Sequence, residues 1–139
     1  MLRAALLGCL AAAATAPGPL IARPRRLSVD YQEVAKLVAS DGAGGDEFGR
    51  SLAFDGDTVV IAALYDDDGG SESGSAYVLR TADGGATYDQ VAKLTAADAS
   101  SSDSFGLSVA IDGDTIVVGA YCDDARGFKS GSARAAHAR

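Results

Sequence analysis

The sequence predicts an all-β protein built from repeated four-stranded antiparallel units, the blade geometry of a β-propeller, with one full blade and parts of two more. Three observations carry this. Residues 31–76 and 88–133 align without a gap at an offset of 57, and 25 of the 46 aligned positions are identical. A repeat of this length marks an array in which one unit cannot bury its own core. Each copy also holds two strand-like runs joined by Asp-Gly-Asp, and beyond residue 30 no helical periodicity interrupts them.

Ahead of the repeats stands a different kind of segment. Met1-Leu2-Arg3 is a short basic start, Ala4 to Ala14 is apolar, and Ala14-Thr15-Ala16 has the small-x-small form of a cleavage site. Residues 1–16 read as a secretory signal peptide and 17–30 as a linker, implying a secreted or cell-surface protein. The alternative is import into an organelle, since no acid precedes Asp30 while Arg3, Arg23, Arg25 and Arg26 do. The apolar run is too short to span a bilayer, which needs about 20 residues.

Charge divides at the same boundary. All 19 acidic residues lie at or after Asp30 with 8 of the 12 basic ones, a net charge of −11 for the repeats. That argues against nucleic acid, whose phosphates require a basic footprint, and against an anionic membrane surface. There is no Asn, so N-glycosylation is excluded. Cys9 would leave with the leader, and Cys122 reads as a small apolar residue.

In chain order, Gln32 to Val38 is expected to be the last strand of a preceding blade. Phe48 to Phe54 and Thr58 to Ala63 flank Asp55-Gly56-Asp57, a hairpin signal. Ser75 to Arg80 and Tyr88 to Thr95 complete the blade. Phe105 to Ile111 and Thr115 to Ala120 flank Asp112-Gly113-Asp114 and open the next one. After Ala133 the repeat register is lost, and residues 134–139 are expected to form an irregular tail.

Phe-Gly-x-Ser, Asp-Gly-Asp-Thr and Ser-Gly-Ser-Ala recur in register, and together they resemble the FG-GAP repeats of integrin-like propellers over residues 31–133. Gly119-Ala120-Tyr121 stands where that family has Gly-Ala-Pro, and the first copy has Ala62-Ala63-Leu64. The resemblance implies an extracellular scaffold for protein binding or adhesion. Family members often bind calcium in a loop between the first two strands. Here that loop is only Asp-Gly-Asp, too short to wrap a cation that takes about six to eight oxygens. Asp55, Gly56, Asp57, Asp112, Gly113 and Asp114 are therefore turn residues.

The acidic segment containing Asp66, Asp67, Asp68 and Glu72, echoed by Asp123 and Asp124, is the candidate ligand-binding site. No cofactor is expected. Calcium is the one metal candidate there, with a solvated loop preferred because the alternating spacing of a calcium loop is missing. Thr81 to Tyr88 resembles the Asp-box of sialidases and other propellers, a structural turn in which Asp83, Gly85 and Thr87 would satisfy backbone groups. Catalytic residues are not expected: His137 is the sole histidine, and Ser51 and Ser108 lack a base.

These readings converge on a non-catalytic extracellular binding scaffold whose ligand is protein or glycan. The alternatives are an accessory propeller of a larger secreted enzyme and a truncated repeat pair without independent function. Because a propeller closes with at least about four blades, further blades are expected in cis or by association.

Overall fold

The computed structural model describes residues 30–138, so the expected leader and linker before Asp30, and Arg139, lie outside the described residues. From Gln32 onward the chain is one compact unit. Its seven strands are β1 (Phe48–Asp55), β2 (Thr58–Ala63), β3 (Ser75–Arg80), β4 (Asp89–Leu94), β5 (Phe105–Asp112), β6 (Thr115–Ala120) and β7 (Ser132–His137). They form two antiparallel meanders, β1-β2-β3-β4 and β5-β6-β7, which are blade-like sheets that do not close into a ring. Among the described residues there is no helix.

The repeat dictates this arrangement locally. Asp55 pairs with Thr58 and Asp112 with Thr115, so Gly56-Asp57 and Gly113-Asp114 are two-residue hairpin loops. Gly56 and Gly113 carry φ of 53° and 54°, which a glycine accepts without a Cβ penalty. Each first strand is irregular after its Phe-Gly, with the register shifting between Phe48 and Leu52 and between Phe105 and Ser108.

Two expectations need correction. Residues 32–38 form no strand, because no described strand lies beside them. The expected irregular tail is, from Arg134 to His137, part of β7, paired with β6 from Ala120↔Ser132 to Thr115↔His137. Backbone pairing needs only free N–H and C=O groups, so a strand forms there even with Arg134, Ala135, Ala136 and His137 in place of Tyr77, Val78, Leu79 and Arg80.

The main core lies between the sheets. Val60, Ala62, Ala76 and Val78 of the first sheet pack with Phe105, Ile116, Val118 and Ala120 of the second, and Leu94 and Ala96 fill the border. On the other face of the first sheet, Ile61, Ala63, Tyr77 and Leu79 are covered by Leu37, Ala39 and Phe48. The strands β2 and β3 are thus buried on both sides, which explains their unbroken apolar runs.

Between the blades, the Phe-Gly of one seats on the Ser-Gly-Ser of the other. The Phe105 amide donates to the Ser73 carbonyl at 2.9 Å, and the Ser51 hydroxyl donates to the Gly106 carbonyl at 2.6 Å. A Cβ on Gly106 would lie 2.7 Å from the Ala62 Cβ and 3.0 Å from the Ser75 carbonyl oxygen, and φ there is +102°. Only glycine lets the backbones approach this closely.

Gly106→Ala should therefore combine backbone strain with overpacking, lowering stability by about 3 kcal/mol or more in urea unfolding. Gly84→Ala, at φ +75° with nothing within 4 Å of the added carbon, should cost only about 1–2 kcal/mol. Equal losses in the two variants would show that the inter-blade approach contributes nothing.

Candidate functional site

The loops that follow β2 and β6 lie at equivalent places in the two sheets and carry all six candidate ligand-binding acids. In the first loop Asp66 is buried, while Asp67, Asp68 and Glu72 are exposed. In the second Asp123 is buried and Asp124 exposed. Among the described residues no group of three or more His, Cys, Asp or Glu is placed to hold a metal ion.

Four of the six carboxylates, Asp66, Asp67, Asp123 and Asp124, accept an amide of their own loop. Asp66 accepts the Tyr77 hydroxyl at 2.7 Å and the Asp68 amide at 3.0 Å, and lies 2.9 Å from the Lys93 ammonium. Asp123 accepts the Ser132 hydroxyl at 2.5 Å and the Ala125 amide at 2.7 Å. Asp67 accepts the Glu72 amide at 2.7 Å, and Asp124 accepts that of Lys129. Glu72 and Lys129 both adopt left-handed backbone, φ 56° and 50°. Asp67 and Asp124 therefore hold a strained residue in place in each copy, a role that leaves fewer oxygens for a cation.

Sequence reading missed the hub of the first loop. Lys93 on β4 reaches Asp41 at 2.7 Å as well as Asp66 and Asp68, and its ammonium sits 5.0 Å from the Tyr77 ring centre. In the second copy Arg134 stands at the position of Tyr77 and pairs with Asp98 and Asp123, the counterparts of Asp41 and Asp66. One Arg thus takes over the charge that a Tyr–Lys pair manages in the first copy. The signal was available: Lys36, Lys93, Asp41 and Asp98 recur in the repeat at polar positions that otherwise have no purpose.

The electrostatics are those of a locked network. Burial alone would raise the Asp66 carboxyl, but the Tyr77 hydroxyl and Lys93 outweigh it and bring it down to about 2. Burial, reinforced by the Asp66 hydrogen bond, pushes Tyr77 up to about 12. Burial opposes the charge on Lys93, yet Asp41, Asp68 and the other partners hold it well above its ordinary value. The Ser132 hydroxyl and the Ala125 amide keep Asp123 below the usual carboxylate range, and Asp98 raises Arg134. Asp66, Tyr77, Lys93, Asp123 and Arg134 all shift away from neutrality, toward their charged or hydrogen-bonded form.

The remaining turn residues lie apart from these loops. In the segment after β3, Asp83 accepts the Ala86 amide at 3.0 Å, the Thr87 amide at 2.9 Å and the Thr87 hydroxyl at 2.6 Å. These bonds, the Thr87 hydroxyl first, hold its carboxyl well below the ordinary value. The Gly85 amide donates to the Thr81 hydroxyl at 2.8 Å. At the hairpins, the Asp55 carboxylate accepts the Gly113 amide at 2.7 Å, tying one blade's turn to the next. The carbonyls of Asp57 and Asp114 accept the amides of Thr81 and Ala138, each at 2.9 Å, and Asp112 closes its hairpin by pairing with Thr115. His137 is exposed, 3.4 Å from the Thr115 hydroxyl, and Cys122 is a half-buried free thiol.

Tandem blade-like meanders with a Phe-Gly to Ser-Gly-Ser contact between them define a propeller-repeat protein. The chain belongs to the FG-GAP repeat family, whose model matches residues 31–79 and 81–134. Comparison with curated proteins and with solved structures gives no match.

The Asp66 network sets a pH dependence. Asp66 is held below its unfolded value of 3.8, so its contribution is full above about pH 4 and is lost as pH falls through about 2. The loss is about 2 kcal/mol. Tyr77 is held above its unfolded value of 10.0, so its share is full below about pH 10 and is lost as pH rises toward 12. Urea midpoints should plateau between these limits. Asp66→Asn should lower the plateau by about 2 kcal/mol and flatten the acid limb; an acid limb as steep as that of the parent chain would contradict the assignment.

Proposed function

We propose that the chain is a non-catalytic extracellular binding scaffold that meets a protein or glycan ligand through the loops following β2 and β6. The observation carrying this reading is the division of labour within those loops. Their buried acids are committed to internal bonds, while their tips present unlike side chains from the two copies. The first tip exposes Asp67, Asp68 and Glu72, and the second exposes Arg126, Phe128 and Lys129.

Repeats that share a frame and differ at the loop tips are suited to recognition, because rigid sheets position variable contacts. Phe128 is 87 % exposed with the Lys129 ammonium 5.5 Å from its ring centre. Exposed aromatic and basic side chains side by side are common anchors of protein interfaces. The acidic tip supplies charge complementarity for a basic partner surface or donor groups on a glycan. Membership of the FG-GAP family supports a propeller-type scaffold; the extracellular setting and the adhesive role are the proposal.

Surface binding of the chain to a panel of extracellular-matrix proteins and to a glycan array tests it. We expect saturable binding that Phe128→Ala weakens about tenfold or more and that a calcium chelator leaves unchanged. A ligand held equally well by the Phe128→Ala chain, or binding abolished by the chelator, would overturn this reading of the loops.

A further inference from the structure

We propose that copies of this chain associate head to tail, each lending residues Gln32–Leu37 as the missing fourth strand beside β7 of the next, and that the array closes into a ring. The first sheet has its fourth strand and the second does not: β7 has no neighbour on its outer edge among the described residues. Open strand edges of this kind invite pairing with another chain.

The sequence identifies what fits that edge. In the repeat alignment Gln32–Leu37 is the counterpart of β4, sharing Val-Ala-Lys-Leu with it. In the first sheet β4 pairs Leu94 with Ala76, Lys93 with Tyr77, Ala92 with Val78, Gln90 with Leu79 and Asp89 with Arg80. Shifted by one repeat, the same register sets Leu37 against Ala133, Lys36 against Arg134, Ala35 against Ala135, Glu33 against Ala136 and Gln32 against His137. Residues 32–37 belong to no strand, helix or turn and have no strand partner among the described residues.

The surfaces behind that strand also match. Within the chain, the second sheet buries Val60, Ala76 and Val78 of the first, at 0 %, 0 % and 7 % exposure. Their counterparts Val117, Ala133 and Ala135 are exposed, Val117 at 40 %. On the opposite face, Leu37, Ala39 and Phe48 pack on the first sheet as Leu94, Ala96 and Phe105 pack on the second. The contact halves also lie open: a Cβ on Gly49 would meet nothing within 4 Å, whereas one on its counterpart Gly106 would strike the neighbouring blade. Phe48-Gly49 of one copy can thus seat on Ser130-Gly131-Ser132 of another, repeating the contact already formed inside the chain.

Charge agrees with this pairing. Asp98 and Asp123 exceed Arg134 by one negative charge, which Lys36 would neutralise, as Lys93 serves the counterpart acids. The contact joins two different surfaces, so it is heterologous and propagates until the rotation closes. With the two blades of the described residues in each copy and propellers of about four to eight blades, closure falls at about two to four copies.

Sedimentation velocity of the full chain from about 1 to 100 µM tests this. The expected result is a single species with a mass of about two to four copies. Ala135→Arg, placed on the exposed face of β7, should raise the apparent dissociation constant at least about 100-fold while leaving the β-sheet circular dichroism unchanged. If that variant loses its dichroism, Lys36→Glu carries the test, with an expected weakening of about tenfold. A monomer at every concentration, a ladder of masses without a stop, or an assembly that neither substitution moves would overturn the proposal.

Discussion

The structure depends on one close approach. The backbone of Phe105-Gly106 lies directly on Ser73-Gly74-Ser75, and a Cβ on Gly74 would come within 2.1 Å of the Phe105 carbonyl oxygen. Everything that joins the blades follows from it. The approach lets the Phe105 ring enter the core between Val60, Val78 and Val118, and it aligns backbone donors with the preceding loop, as where the Ser102 amide reaches the Ser71 carbonyl at 2.8 Å. A single four-stranded meander buries too little apolar surface to stand alone. The repeated glycines therefore mark where one blade becomes part of its neighbour's core, and they explain why the motif spans two blades.

A second constraint is the treatment of charge beneath the loops. Each copy buries one aspartate after its central strand, and a buried carboxylate is costly unless it is paired and hydrogen-bonded. The first copy answers with Tyr77 and Lys93, the second with Arg134 and Ser132. The backbone of the loops is nearly the same in both, down to the left-handed residues Glu72 and Lys129 and their carboxylate partners. Their frame is thus kept while the exposed tips diverge.

Much of the fold was legible in the sequence. The β-branched runs gave β2 and β6 at their observed limits, and Asp-Gly-Asp located both hairpins. The failures have specific causes. Residues 32–38 carry a strand pattern, but a strand needs a neighbour, and none of the described strands lies beside them. The segment after Ala133 lacks strand-like side chains, yet β6 supplies a complete row of backbone partners that overrides propensity. The acidic loop was legible as a feature but not in its wiring. Asp66 meets Lys93 only because the chain passes through two strands and an Asp-box-like turn before returning, a path that local spacing does not encode.

If the inter-blade contact is the foundation of the fold, the two sheets cannot open independently. Native-state hydrogen exchange followed by NMR measures this directly, since each amide reports the free energy of the opening that exposes it. Amides of β2, β3, β5 and β6 should converge on one global unfolding free energy, with β4 exchanging earlier as an edge. Two separate plateaus, one for β2 and β3 and a lower one for β5 and β6, would contradict the account by showing that each blade holds itself together.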